Sequence, residues 1–275
     1  MATATTKPSN EKTPTGDGVQ ELREALQVAP PDEVIRWLNL FVYGESGVGK
    51  TFLSGTAADD KRTSPVLFID AEGGITTIKE RKDIDVVTVR SMKQLEKVAT
   101  QLGASVKAGK LYYSTIVVDS LTELADLDMR DVMREAYNRS PDKVDIDVPS
   151  PREWGKVRNH IRIIVRYFKD LPCHVIWTGH LSVQEADPDK GIPRKYYPGF
   201  AGKLAREIPG FMDIVGYYSQ KSTNEGVIIR SLQLQGTDRV IAKDRTKVLG
   251  QLIQDPTVPM IWDMIQQSQT GERNT

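Results

Sequence analysis

Residues 41–51 read Phe-Val-Tyr-Gly-Glu-Ser-Gly-Val-Gly-Lys-Thr, and no other stretch constrains the fold so strongly. An apolar run turns through Gly44, Glu45, Ser46, Gly47, Val48 and Gly49 into Lys50 and Thr51, which open a helix-like segment. Gly44 and the Gly49-Lys50-Thr51 triplet meet the spacing of a phosphate-binding P-loop. Glycine is needed there because the backbone curls until successive N–H groups point inward at one anion. The helix that follows adds the positive end of its dipole. Lys50 is then placed to neutralise the outer phosphates, and the Thr51 hydroxyl to ligate Mg²⁺. The competing reading is a glycine-rich surface turn after a strand.

The rest of the chain supplies what such a loop requires. Short, continuous apolar runs at 36–43, 65–70, 84–89, 112–119 and 173–178 read as buried strands. Helical periods fall between them at 51–58, 91–107, 122–138 and 153–168. Ser91 is the expected N-cap of the second of these, with Leu95, Val98 and Leu102 on one face. Alternation of this kind predicts a parallel sheet covered on both faces, with its working edge at the carboxyl ends of the strands. Two further runs, 212–219 and 226–234, flank a Thr-Asn-Glu-Gly turn and predict antiparallel strands. A short strand at 239–243 and a helix after Pro259 complete the reading. The expectation is an α/β P-loop NTPase core with a mostly parallel central sheet, helices on both faces and antiparallel C-terminal strands.

One domain is expected over 19–267, between disordered polar tails at 1–18 and 268–275. A short helix is expected at 19–28, ended by Pro30 and Pro31. Residues 140–151 read as a polar loop. Residues 181–208 read as a long connection without a period, of the kind that is functional or mobile. Lys plus Arg and Asp plus Glu both total 37, so any site for a polyanion must be a local patch. Cys173 is the single cysteine, which excludes an internal disulfide and fits a reducing, cytoplasmic compartment. No apolar run reaches the ~18 residues of a membrane span, and no membrane partner is expected.

The chemistry-bearing residues cluster at strand ends. Asp119 closes Ile116-Val117-Val118, where an acid beside a P-loop holds the water shell of Mg²⁺. Its competing role is to cap a turn. Glu72 lies two residues past Asp70, at a neighbouring strand tip, where a carboxylate can polarise the water that attacks a γ-phosphate. A solvated loop glutamate is the alternative. Asp70 with Gly73 also fits the DxxG element of GTPases, but no Asn-Lys-x-Asp element for guanine follows, so ATP is favoured. His180 ends another strand and could sense the γ-phosphate, or bond only to backbone. His160 and His174 read as structural. Lys243 and Arg245 flank one residue and could reach the nucleotide of a neighbouring subunit, or form a solvated basic turn. In the 181–208 stretch, Arg194, Lys195, Tyr196, Tyr197, Lys203 and Arg206 interleave cations with aromatic rings, the pairing that single-stranded DNA needs. A lid that contacts protein is the alternative.

These residues resemble the RecA-like ATPase core. Leu67-Phe68-Ile69-Asp70-Ala71-Glu72 resembles the segment carrying its catalytic glutamate, and Ile116-Val117-Val118-Asp119-Ser120 its Walker B strand. Val175-Ile176-Trp177-Thr178-Gly179-His180 resembles the strand ending in the γ-phosphate sensor, with His in place of Gln. Lys243-Asp244-Arg245 resembles the Lys-x-Lys pair inserted across the subunit interface. Residues 140–151 and 181–208 then stand where the two DNA-binding loops stand. The likeness spans about 37–245 and is closest to short bacteriophage RecA-like proteins of single-strand annealing. It implies ATP and Mg²⁺, DNA-stimulated hydrolysis, single-stranded DNA as partner, recombination in a host cytoplasm, and a homo-oligomer with nucleotide at its interfaces. A counterpart of the long N-terminal oligomerisation helix and separate C-terminal domain of RecA is not expected. Rival readings are a nucleotide-gated protein-interaction switch that does not touch DNA, and a hexameric helicase or packaging motor on the same core.

Overall fold

The computed structural model describes residues 16–26, 28 and 37–269. Two units are distinguished, 1–36 and 37–275. The first contributes helix α1 (Gly16–Ala25). The tail expected at 1–18 lies outside the described residues as far as residue 15, and residues 270–275 of the expected C-terminal tail lie outside them too.

The second unit runs β1 (Asn39–Gly44), α2 (Lys50–Gly55), β2 (Val66–Asp70), β3 (Ile84–Thr88), α3 (Met92–Lys107) and β4 (Thr115–Asp119). It continues with α4 (Leu121–Arg139), α5 (Pro151–Lys169), β5 (His174–Gln184), β6 (Lys195–Pro198) and α6 (Leu204–Phe211). The last elements are β7 (Ile214–Ser222), β8 (Ile228–Gln233), β9 (Lys243–Asp244), β10 (Leu252–Gln254) and α7 (Val258–Gln269). All ten strands join one sheet in the order β10-β8-β7-β1-β5-β4-β2-β3, with β6 paired to β5 and β9 to β7. The six strands from β7 to β3 are parallel, while β8, β10, β6 and β9 run antiparallel to their neighbours.

Strand β1 is buried along its whole length, so its two faces feed two cores. Phe41 and Tyr43 pack with Val118, Trp177 and the apolar stripes of α3, α4 and α5. Leu40 and Val42 pack with Phe68, Ile176, Leu53 of α2 and Ile261 of α7. Each such buried side chain contributes roughly 1.5–3 kcal/mol. Ser91 caps α3 by accepting from the Gln94 N–H, as expected, and Ser150 with Glu153 forms a capping box on α5. Among the described residues no helix is long and apolar enough to cross a membrane.

The 181–208 stretch differs from its expectation. Strand β5 continues past His180 to Gln184 and folds back on β6, pairing Leu181 with Pro198 and Val183 with Tyr196, before α6 begins at Leu204. Leu181-Ser182-Val183-Gln184 does alternate, but four residues answered by a strand that begins only at Lys195 are too short a pattern to read as a hairpin. The final helix also starts before Pro259, at Val258.

His174 opens β5 and is buried, with its Nδ1 accepting from the Leu38 N–H at 3.0 Å and its ring edge-on to Trp262. Burial lowers its pKa to about 4, against a hydrogen bond to the Arg62 main chain that works the other way. Between about pH 4 and 6.5 the unfolded chain therefore binds the proton that the folded chain refuses. Stability from this residue is full above pH 6.5 and falls as pH drops through that window. Urea titrations should show about 2 kcal/mol less stability at pH ~5 than at pH ~7.5, and a His174→Gln chain should lose this increment of the pH dependence.

Candidate active site at the carboxyl edge of the sheet

The loop after β1 has the shape the glycines foretell. Gly47 and Gly49 take φ of 78° and 100°, in the left-handed region where a side chain is strained. Gly44 is constrained differently: it lies between β5 and β7, and a Cβ on it would come within 2.2 Å of the Tyr218 carbonyl oxygen. Lys50 is buried and folds back over the loop, donating to the carbonyls of Gly44 (3.0 Å) and Glu45 (2.9 Å). Its ammonium lies over the loop where the outer phosphates of a nucleotide are expected.

Sheet order brings the acids to this loop. Asp119 ends β4 beside Asp70 at the end of β2, and β5 inserts between β4 and β1. Thr51 Oγ1 donates to Asp119 Oδ2 at 2.7 Å, and Thr178, two residues before His180, donates to Asp119 Oδ1. The N–H groups of Ala71 and Glu72 donate to the Asp119 carbonyl (2.8 and 3.3 Å), which fixes the loop that carries Glu72. Asp70 is buried and accepts from the Gly73 N–H at 2.7 Å, so it shapes this loop. Arg90 donates to the carbonyls of Asp70 and Ala71, both at 3.1 Å. The Asp119–Ser120 peptide is cis.

Glu72 Oε2 lies 3.5 Å from His180 Nε2, with the two side chains 34% and 36% exposed, so water reaches both. The His180 N–H donates to Thr122 Oγ1 at 3.0 Å, tying the middle of β5 to the first turn of α4. Burial lowers the pKa of Lys50, and the charges of Glu72 and then Asp119 oppose that shift. Asp126, on α4, has its pKa raised by burial and by Glu123, while Arg130 and His180 act in the opposite sense.

A P-loop lysine, a Thr–Asp pair and a second carboxylate thus stand at one sheet edge, the groups that nucleotide hydrolysis uses. The family model described as AAA domain matches residues 37–246. The chain belongs to this family. It is thereby a P-loop ATPase domain of the AAA type, whose members bind nucleotide and usually use Mg²⁺. A comparison with curated proteins returned no match.

The local space of this AAA domain suits Mg²⁺. A Cβ on Gly74 would stand 3.6 Å from Thr51 Oγ1 and 3.8 Å from Asp119 Oδ2, so the absence of a side chain there leaves room beside both oxygens. Among the described residues no cluster of three or more His, Cys, Asp or Glu is arranged to hold a metal. Mg²⁺ does not require one, because it is bound through one or two protein oxygens, water and substrate phosphates.

The remaining expected residues lie elsewhere in the domain. Lys243 and Arg245 are at β9, which pairs with the start of β7 (Ile214↔Asp244) level with Leu40. Gly44 is four residues further along, about 13 Å by strand rise. Arg245 pairs with Asp213 at 2.9 Å, and Lys243 donates to the Pro209 carbonyl. Burial, and then the charge of Arg245, lowers the Lys243 pKa to about 8. The six residues expected to meet DNA are divided. Arg194, Lys195, Tyr196 and Tyr197 are on the hairpin, while Lys203 and Arg206 are at the start of α6. The Tyr196 ring stacks on Tyr217 at 5.4 Å and carries the Arg194 guanidinium at 5.4 Å. Tyr197 packs against the core, so both rings are engaged within the chain.

Thr122, Arg90 and Gly74 went unassigned in the sequence, as did Thr178 beyond its place in the 175–180 run. So did Arg230 of β8, whose Nε donates to the Val48 carbonyl at 3.1 Å and faces Gly49. Thr178 carried a signal, a lone hydroxyl ending an apolar run. Arg230 carried none, being 182 residues from its acceptor.

Proposed function

We propose that this domain hydrolyses ATP, with Glu72 as general base. The observation that carries this is that Thr51, beside Lys50 at the P-loop, is bonded to Asp119, whose carbonyl in turn fixes the loop that carries Glu72. Lys50 leaves the carbonyls of Gly44 and Glu45 to hold the β- and γ-phosphates. Thr51 and Asp119, now bonded to each other, are the residues that would hold Mg²⁺. Mg²⁺, when bound, neutralises charge on the β- and γ-oxygens. Glu72 takes the proton of a water whose oxygen attacks the γ-phosphorus. The bond from that phosphorus to the β-bridging oxygen breaks, and ADP leaves with phosphate. His180, beside Glu72, holds the carboxylate and links its state to the β5–β6 hairpin that follows in the chain.

The proposal extends to partners. Single-stranded DNA is the partner of the hairpin and the start of α6, in annealing or recombination, supported by the cations there and by the RecA resemblance. Lys243 and Arg245 act on the nucleotide of a neighbouring copy. Their position away from their own P-loop supports this, and reaching across requires them to release Asp213 and the Pro209 carbonyl. ATPase rate measured with and without single-stranded DNA, across protein concentration, tests chemistry, partner and assembly together. A rate that neither DNA nor concentration changes would remove the last two.

Mixing tests the interface directly. Lys50→Ala protein and Lys243→Ala/Arg245→Ala protein should each be inactive. A 1:1 mixture should recover about a quarter of the wild-type rate, since random exchange pairs intact loops with intact cations at that frequency. A mixture that exchanges subunits and stays inactive would count against action in trans.

A further inference from the structure

Helix α5 holds a charge imbalance that the active site does not use. Its residues include Arg152, Lys156, Arg158, Arg162, Arg166 and Lys169 against one acid, Glu153, in a chain whose net charge is zero. Glu153 is spent on the capping box, where it accepts from Ser150. Arg158, Arg162, Arg166 and Lys169 are spaced four, four and three apart. That spacing puts them on one face, about 16 Å long, alongside the buried Val157, Ile161 and Val165.

We propose that this stripe is a docking surface for the phosphodiester backbone of nucleic acid, separate from both the P-loop and the hairpin. The charges are available. Among the described residues Arg152, Lys156, Arg158 and Arg166 form no ion pair, and Arg162 meets Glu207 only at 3.9 Å. Lys169 is the one closely paired member, with Asp213 at 3.1 Å. The guanidinium groups are also held in place, Arg166 at 4.9 Å and Arg162 at 5.9 Å from the Phe211 ring. Cation–ring packing of that kind lowers the entropy lost on contact with a ligand. Four of the six cations are arginine, whose planar fork matches phosphate oxygens two at a time. A row of like charges about 6 Å apart along a line suits a polymer with a repeating charge better than the scattered carboxylates of a protein surface. Because the chain is neutral overall, the field is local and fades within a Debye length of about 8–10 Å, so binding should be steeply salt-dependent.

The test is fluorescence anisotropy of labelled single- and double-stranded oligonucleotides with the full chain, without nucleotide, from ~50 to ~300 mM salt. Arg158→Gln/Arg166→Gln removes two cations that make no ion pair within the described residues, and circular dichroism checks its fold. Loss of two phosphate contacts should reduce the slope of log K against log salt by about 1.4 for single strand or about 1.8 for duplex. If the curves meet near ~1 M, that is about 25-fold or about 60-fold weaker binding at ~0.1 M salt. Arg158→Lys/Arg166→Lys should keep most of the slope, and a lysine pair as defective as the glutamine pair overturns the charge argument. Unchanged affinity and slope in the glutamine pair, with loss confined to Arg194→Gln/Lys195→Gln, overturns this inference and leaves the hairpin reading standing. A wild-type chain that binds neither strand form at ~50 mM salt overturns both, and leaves the stripe to an acidic protein partner.

Discussion

Replacing Glu72 by Gln should lower ATP turnover by about three orders of magnitude and leave ATP binding nearly intact. The expectation follows from what the carboxylate touches. Its neighbours are His180 at 3.5 Å and the Lys50 charge, and the loop that carries it is fixed by two N–H donors to the Asp119 carbonyl. Glutamine keeps the size and the loop contacts but cannot accept a proton, so the loss falls on the chemical step. A positioned general base contributes about 10²–10⁴-fold. Single-turnover hydrolysis, together with equilibrium binding of a fluorescent ATP analogue, separates the two effects. A Glu72→Gln variant that hydrolyses at the wild-type rate would remove Glu72 from the mechanism. One that loses binding as well would make its role structural.

Lys50→Ala should abolish both measurable turnover and tight nucleotide binding. Lys50 is a buried ammonium whose hydrogen bonds go to the carbonyls of Gly44 and Glu45, groups that cannot neutralise it. Burial works against its charge while Glu72 and Asp119 favour it. A triphosphate would complete the neutralisation, and the lysine would in turn stabilise charge that grows on the β-bridging and γ-oxygens. Removing one such donor costs about 10²–10³ in rate, and removing a full charge costs at least that. Alanine also frees the two carbonyls and leaves the loop without its internal clamp. Comparing thermal stability of the variant with and without MgATP checks this. The wild-type chain should gain several degrees with nucleotide and the variant should gain none. Equal gains in both would mean that the phosphates bind elsewhere.

The two substitutions test different distances of inference. Lys50 and Thr51 are read from a spacing within eleven residues, and Glu72 and Asp119 from strand tips 47 residues apart whose adjacency depends on the order of the sheet. The start of α3 was legible because its cap, Ser91, acts locally. The α5 helix opens at Pro151 behind the Ser150 cap, two residues before its expected start at 153, because Ser-Pro also reads as the end of a polar loop. The apolar strands were legible because strands buried on both faces read as unbroken apolar runs. The β5–β6 hairpin was not, because its four alternating residues, 181–184, are answered only from Lys195 on, too short a pattern to read. The charge imbalance of α5 stood in the sequence all along. Its meaning as a stripe needed the knowledge that Val157, Ile161 and Val165 face inward and that Phe211 lies beneath two of the arginines.

By itself the sequence determined the parallel strands, most of the helices between them and the phosphate loop, since propensity, capping and glycine spacing act over a few residues along the chain. Tertiary structure decided which strand tips stand side by side. The insertion of β5 between β1 and β4 puts Thr178 on Asp119 and His180 beside Glu72, and the return of β8 brings Arg230 against the P-loop. Those contacts join residues 59, 108 and 182 positions apart. Local pattern cannot encode them, because they follow from how two apolar faces of one sheet are buried at once.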